Sequence, residues 1–208
     1  MGDEPLRVLD LGAGTGKLTR TLVALGHDVV AVEPSAPMLA QLRRALPHVE
    51  ALEGGAEAIP VADARADAVL AGQAFHWFDP TRALPEIQRV LCPAGVLGVV
   101  WHVLDEAQLF VRRLNDLLPS SQGSEEPAAA IAASELFGSV EEAHFPWERR
   151  VDRDAFVDNV STQSSVATLP PAERARVLAA VGELWDAEAG TEGLGLAYVA
   201  YAYRAERH

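Results

Sequence analysis

Short apolar runs alternate with segments of helical periodicity through the first half of the chain. The apolar runs predict five strands, and the recurrence of apolar residues every three or four positions predicts three helices between them. The predicted strands cover 7–11, 28–33, 48–53, 67–71 and 96–102, and the predicted helices cover 16–25, 35–45 and 80–91. Strands joined by helices in this order are typical of βαβ units around a parallel sheet.

The second half of the chain is less regular. Its patterns predict helices over 106–118, 128–137, 152–160 and 171–189, and strands over 140–151 and 194–204. The Ser, Gly and Glu residues within 119–127 predict a mobile loop. We expect one domain over 1–208, in which residues 103–190 form a helical cover over one end of the sheet.

Composition narrows the classes of protein that are possible. The chain has 208 residues, 49% of them hydrophobic, which suits one globular domain. With 17 basic and 30 acidic residues, its net charge is −13, which disfavours a nucleic-acid partner. The sequence has neither a membrane-spanning run nor a signal peptide, so we expect a cytoplasmic protein with no membrane partner. A single cysteine, Cys92, and histidines without ligand spacing predict no metal site, and oligomeric state is left open.

The most informative motif is a glycine-rich turn between the first strand and the first helix. Glycines at such a turn let the backbone approach a ligand that faces the helix N-terminus. A P-loop requires four residues between its first glycine and a Gly-Lys pair that is followed by a hydroxyl residue. Here only three residues separate Gly12 from Gly16, and Leu18 follows Lys17, so the P-loop is excluded.

The same turn matches a dinucleotide-binding fingerprint only in part. Lys17 stands where the third glycine of G-x-G-x-x-G is required. Asp10, two residues before Gly12, would repel a pyrophosphate but suits a ligand that carries an ammonium group. Glu33, 21 positions after Gly12, ends the second strand, where an acidic side chain can accept hydrogen bonds from ribose hydroxyls. A nicotinamide-dependent oxidoreductase is therefore the less favoured alternative.

Residues 10–16, Asp-Leu-Gly-Ala-Gly-Thr-Gly, resemble motif I of class I S-adenosylmethionine (SAM)-dependent methyltransferases. The resemblance continues in order through residues 32–38, 54–60, 73–79 and 89–97, and it covers residues 8 to about 102. The string Phe75-His76-Trp77-Phe78 is similar to that of trans-aconitate methyltransferases and related small-molecule enzymes.

The resemblance implies an α/β doubly wound, Rossmann-like sheet of seven strands in the order 3-2-1-4-5-7-6, with the last strand antiparallel and a helical insertion. It implies SAM as the cofactor and transfer of its methyl group to a small-molecule acceptor. A non-catalytic SAM-binding protein is the alternative. The family usually has a helical segment before the first strand, and because this strand begins near Leu6 we expect that segment to be missing.

The resemblance also implies roles for particular residues. Those expected to bind the cofactor are Asp10, Gly12, Gly14, Glu33, Pro34, Met38, Ala56, Glu57 and Gln73. His76 follows the fourth strand, at the edge where open α/β sheets bind ligands, and it is a candidate proton acceptor or part of the pocket wall. The candidates for substrate binding are Trp77, Trp101, His102 and Arg112.

Overall fold

The computed structural model describes residues 4–119, 126–189 and 193–208. The elements of the first half lie close to their predicted positions: β1 Arg7–Leu11, α1 Lys17–Ala24, β2 Asp28–Glu33, α2 Ala36–Ala45, β3 Glu50–Glu53, β4 Ala66–Gly72, α3 Pro80–Val90 and β5 Leu91–Leu104. Strand β5 begins five residues earlier than predicted. Leu91 already pairs with Ala66, and a register shift precedes the pairing of Val96 with Ala68.

The second half contains α4 Leu109–Leu117, α5 Pro127–Ala133, β6 Glu141–Val151, α6 Arg153–Thr162, α7 Ser164–Ala167, α8 Pro171–Glu188 and β7 Leu194–Glu206. Asp152 caps α6 by accepting a hydrogen bond from the Ala155 amide at 2.8 Å. Helix α5 ends four residues before its predicted limit, where Glu135 has a φ of 56°. Neither α7 nor the 3₁₀ turn Phe75–Trp77 was predicted. Residues 120–125 of the predicted mobile loop lie outside the described residues.

The seven strands form one mixed sheet in the order β3-β2-β1-β4-β5-β7-β6, with the last strand antiparallel. Parallel pairing joins β1 to β2 and β4, β2 to β3, and β4 to β5. The register places Leu11 opposite Val32 and Gly72 opposite Val100, so the carboxyl ends of these strands share one edge. The predicted fold class and strand order are confirmed.

The chain divides into two compact units. The first includes the described residues within 1–101, 125–143 and 201–208, and the second those within 102–124 and 144–200. Leu9, Leu97 and Tyr203 belong to the core of the first unit, and Phe110 and Trp185 to that of the second. That residues 103–190 cover one end of the sheet stays a prediction. In the described parts of the chain, no helix combines the length and apolar character that crossing a membrane requires.

Candidate cofactor and active site

The loop between β1 and α1 is held against the end of β2. Gly12, Gly14 and Gly16 all have left-handed backbone conformations, with φ values of 72°, 57° and 86°. The carbonyl oxygen of Val32 accepts hydrogen bonds from the amides of Gly12 at 2.9 Å and Ala13 at 3.1 Å. These bonds fix the glycine-rich loop at the carboxyl edge of the sheet, where open α/β sheets bind their ligands.

The space around the three glycines differs. A Cβ atom on Gly12 would lie 2.5 Å from the Cβ of Ala74, and one on Gly16 would lie 2.9 Å from Cγ of Leu42. A Cβ on Gly14 would meet no atom of the described residues within 4 Å. Gly12 and Gly16 therefore permit close internal packing, whereas the backbone at Gly14 borders open space that a ligand can enter.

Glu33 is buried at the end of β2, with 6% of its surface exposed. Its Oε2 accepts a hydrogen bond from the Gly14 amide at 2.8 Å, and its Oε1 accepts one from the Ser35 amide at 2.8 Å. An ionised carboxylate has about four lone-pair sites, so each oxygen keeps one for a further donor. Two fixed acceptor atoms suit the two neighbouring hydroxyl groups of a ribose.

Asp10 lies on β1 with only 1% of its surface exposed. Its Oδ2 accepts a hydrogen bond from the Thr19 hydroxyl at 2.5 Å. Burial raises the pKa of Asp10 to about 6, the Thr19 hydrogen bond opposes that rise, and the charge of Glu33 adds to it. A nearby cation would favour the ionised carboxylate. Sequence reasoning missed Thr19, whose only local signal is a hydroxyl residue early in the helix that follows Asp10.

The loop that follows β4 packs against the glycine-rich loop. The Gln73 amide donates a hydrogen bond to the carbonyl oxygen of Val100 at 2.9 Å, which ties this loop to β5. Besides the close approach of Ala74, the ring of Phe78 lies 3.6 Å from the position of a Cβ on Gly12. The ends of β1 and β4 thus meet at one place within the first unit.

Three aromatic side chains cluster beside this contact. The His76 ring stacks on Trp101, with centroids 5.4 Å apart and an interplanar angle of 23°. It also lies 5.0 Å from Trp77, at an angle of 44°. Partial burial lowers the pKa of His76 below its usual 6.5, so the imidazole is mostly neutral at pH 7. We refer to His76, Trp77 and Trp101 as the aromatic trio.

The remaining residues expected at the cofactor differ in exposure: three are exposed, and two contact other parts of the first unit. Pro34 and Met38 are exposed at the start of α2, and Gln73 is exposed after β4. The side chain of Ala56 packs in the core of the first unit. The carboxylate of Glu57 accepts a hydrogen bond from the Asp79 amide at 2.9 Å, so it helps to hold the start of α3.

Two of the residues expected at the substrate, His102 and Arg112, belong to the second unit. The His102 ring meets Trp147 edge to face at 5.5 Å, and Trp147 stacks on Tyr198 at 4.6 Å. The Arg112 guanidinium donates a hydrogen bond to the carbonyl oxygen of Glu106 at 2.6 Å and thereby supports the turn before α4.

The structure brings Asp10, Gly12, Gly14 and Glu33 together at the carboxyl edge of β1 and β2. It also brings the aromatic trio to the same edge of the first unit. Among the residues described, no three His, Cys, Asp or Glu side chains are grouped so that they could hold a metal ion.

Comparison with known sequences identifies the family. The family model described as "Methyltransferase domain" matches residues 9–99. An uncharacterized methyltransferase of Mycobacterium tuberculosis strain H37Rv is 44% identical over 202 residues, which cover 96% of this chain and 82% of that protein. An uncharacterized methyltransferase-like protein of Schizosaccharomyces pombe is 32% identical over 215 residues, which cover 99% of this chain and 84% of its own.

Solved structures share the same architecture. A protein from Anaeromyxobacter dehalogenans, provisionally assigned as a type II methyltransferase, matches with a TM-score of 0.67 and 28% identity over 97% of this chain and 89% of its own. YcgJ from Bacillus subtilis matches with a TM-score of 0.66 and 21% identity over 98% and 92% of the two chains, which shows the fold alone.

A seven-stranded sheet of this order, with a glycine-rich loop after β1 and an acidic residue at the end of β2, defines the class I SAM-dependent methyltransferases. The chain belongs to this methyltransferase family, and SAM is its methyl donor. The resemblance to the trans-aconitate subgroup stays a prediction.

Proposed function

We propose that this methyltransferase acts on a small-molecule acceptor that contacts the aromatic trio, with His76 as the proton acceptor. The observation that carries the proposal is the contact between the two loops, in which Gly12 packs against Ala74. Because of that contact, the glycine-rich loop and the aromatic trio lie at one edge of the first unit.

The residues around the glycine-rich loop fit SAM. Glu33 would accept hydrogen bonds from both ribose hydroxyls through the lone pairs that Gly14 and Ser35 leave available. Asp10 would balance the positive charge of the ammonium group, and Met38 would cover the adenine. When bound, SAM supplies a methyl group on a sulfonium, which is an electrophile and a leaving group in one molecule.

The main catalytic contribution of the protein is then to orient the acceptor relative to the methyl group. Holding two reactants in line can lower a barrier by roughly 7–11 kcal/mol. An acceptor that must lose a proton also needs a base, and a positioned base contributes a rate factor of about 10²–10⁴. The neutral ring of His76 meets that need, and its stacking on Trp101 fixes the plane of the imidazole.

The replacement Glu33→Ala tests the cofactor assignment. Hydrogen bonds to a charged group contribute about 1.5–3 kcal/mol, so the Kd for SAM should rise about 10- to 150-fold. Calorimetric titration measures that change. The matched control is Glu53→Ala, because Glu53 lies opposite Glu33 on β3 and is exposed. We expect this control to bind SAM like the unchanged protein.

Glu33→Ala also removes the hydrogen bonds that orient Gly14 and Ser35, so its fold must be checked by thermal unfolding. The variant Glu33→Gln keeps one acceptor oxygen for the loop and should fold normally while still binding SAM more weakly. An unchanged Kd in folded Glu33→Ala would contradict the ribose assignment. If Glu53→Ala weakened SAM binding as much as Glu33→Ala does, the change in Kd would be due to the lost negative charge in general.

A further inference from the structure

The aromatic trio presents ring surface at the edge where the glycine-rich loop lies. Trp77 is 67% exposed, although it adjoins the buried Phe75 within the same 3₁₀ turn. His76 and Trp101 are each partly exposed as well. Indole faces carry negative charge density and attract cations, ammonium ions among them.

Two acidic residues meet at the turn that follows Trp77. Asp79 follows Trp77 by two residues, and the hydrogen bond from the Thr81 hydroxyl lowers the pKa of Asp79, with a further contribution from the charge of Arg82. Asp79 is therefore ionised at neutral pH. The carboxylate of Glu57 holds the Asp79 amide at 2.9 Å, so a second acidic side chain lies at the same turn.

We infer that the acceptor is an amine, which the aromatic trio binds as an ammonium ion before its nitrogen is methylated. This inference rests on the proposed function and names the substrate class of the same site. The negative ring faces attract a cation. Glu57 and Asp79, whose carboxylate caps α3, add negative charge at the turn after Trp77 and so disfavour a carboxylate. The net charge of −13 acts in the same direction at longer range.

Methylation of an amine also requires a proton acceptor, a role that His76 can fill. An ammonium ion has no free lone pair, so it first transfers one N–H proton to the neutral imidazole of His76. The amine nitrogen then forms a bond to the methyl carbon as the carbon–sulfur bond breaks, and the electrons of that bond remain on sulfur. The products are a methylated ammonium ion and S-adenosylhomocysteine, and the imidazolium returns its proton to water. A carboxylate acceptor would need no such base.

The charge preference can be measured without turnover. Choline and 3,3-dimethylbutan-1-ol have the same shape and differ in the charge of the head group, and both are titrated into the full chain saturated with S-adenosylhomocysteine. We expect choline to bind about 5- to 30-fold more tightly. Trp77→Leu should reduce this ratio to below about threefold. Phe145→Leu, which removes another exposed ring, 57% accessible on β6, should leave the ratio unchanged.

Turnover with matched acceptors gives the second readout. Phenethylamine, 3-phenylpropanoate and 4-ethylphenol are compared by the S-adenosylhomocysteine that each releases from SAM. Faster methylation of the amine supports the inference, and faster methylation of the acid or the phenol overturns it. Equal binding of choline and its neutral analogue also overturns it, as does a ratio that Trp77→Leu does not change. Absence of product from every acceptor would count against the proposed function, while the choline ratio would still decide the charge preference.

Discussion

The replacement Asp10→Asn removes the one ionisable group of the candidate cofactor site that is almost fully buried and has a raised pKa. Asparagine is close in size to aspartate and keeps an oxygen that can accept the hydrogen bond from Thr19. The variant is therefore neutral at every pH and should keep the local packing. Its stability is compared with that of the unchanged protein in the absence of SAM, because a bound cation would itself lower the pKa of Asp10.

The sign of the effect follows from the direction of the shift. The folded protein holds the Asp10 proton up to a pH of about 6, whereas the unfolded chain releases it near its ordinary value of 3.8. Stability therefore falls as the pH rises through this window, and the full loss is about 3 kcal/mol above it. Between about pH 5 and about pH 7.5 the loss is about 1.4 kcal/mol.

Urea unfolding at these two pH values measures the difference. The free energy of unfolding should decline with pH by about 1.4 kcal/mol less in Asp10→Asn than in the unchanged protein. Asp67→Asn is the matched control. The hydrogen bond from Arg7 lowers the pKa of Asp67, so this carboxylate is ionised in both states throughout the measured range. The control should change stability by the same amount at both pH values.

An equal decline in Asp10→Asn and the unchanged protein would refute this reasoning. It would mean that Asp10 is already ionised in the folded protein at about pH 5, despite its burial. A difference between the two pH values in Asp67→Asn would instead show that replacing a carboxylate changes the pH dependence in a way that is not specific to Asp10.

The remaining predictions concern the loop, the cofactor and the base. Gly12→Ala would place a methyl group 2.5 Å from the Cβ of Ala74 at a φ of 72°, and urea unfolding should show a loss of about 1–3 kcal/mol; normal stability would contradict the packing argument. SAM affinity measured by calorimetry should weaken below a pH of about 6, by up to about tenfold per pH unit, because the ammonium favours ionised Asp10. A SAM affinity that does not change with pH would contradict contact between Asp10 and the ammonium group of SAM. His76→Asn should lower kcat for an acceptor that loses a proton by about 10²–10⁴ without changing the Kd for SAM, whereas an unchanged kcat would exclude the proton-acceptor role.

Local patterns in the sequence predicted most of the helices and strands, and the family resemblance implied the order of the strands in the sheet. Strand β2, Asp28–Glu33, has the predicted bounds because its apolar run is buried between β1 and β3 and is bordered by polar residues. Helix α8, Pro171–Glu188, ends one residue from its predicted limit. The glycine-rich loop and Glu33 could also be recognised in the sequence, because their separation along the chain is that of one βαβ unit.

The local patterns were insufficient where pairing with a distant segment decided the structure. The residues Pro93-Ala94-Gly95 predict a turn before β5, yet Leu91 pairs with Ala66 and the strand begins before that turn. The short helix α7 and the 3₁₀ turn Phe75–Trp77 each have too few residues to show a period.

The sequence by itself determined the class of fold and the cofactor through its resemblance to class I methyltransferases, and it located the acidic residue at the end of β2 through its spacing from the glycine-rich turn. Only the tertiary structure decided that Asp10 is buried against Thr19, that Gly12 packs on Ala74 while Gly14 borders open space, and that Trp101 stacks on His76. These properties arise from distances between strands and helices that the fold brings together. The raised pKa of Asp10 and the geometry of the aromatic trio therefore follow from packing and burial. The order of residues along the chain does not specify either one.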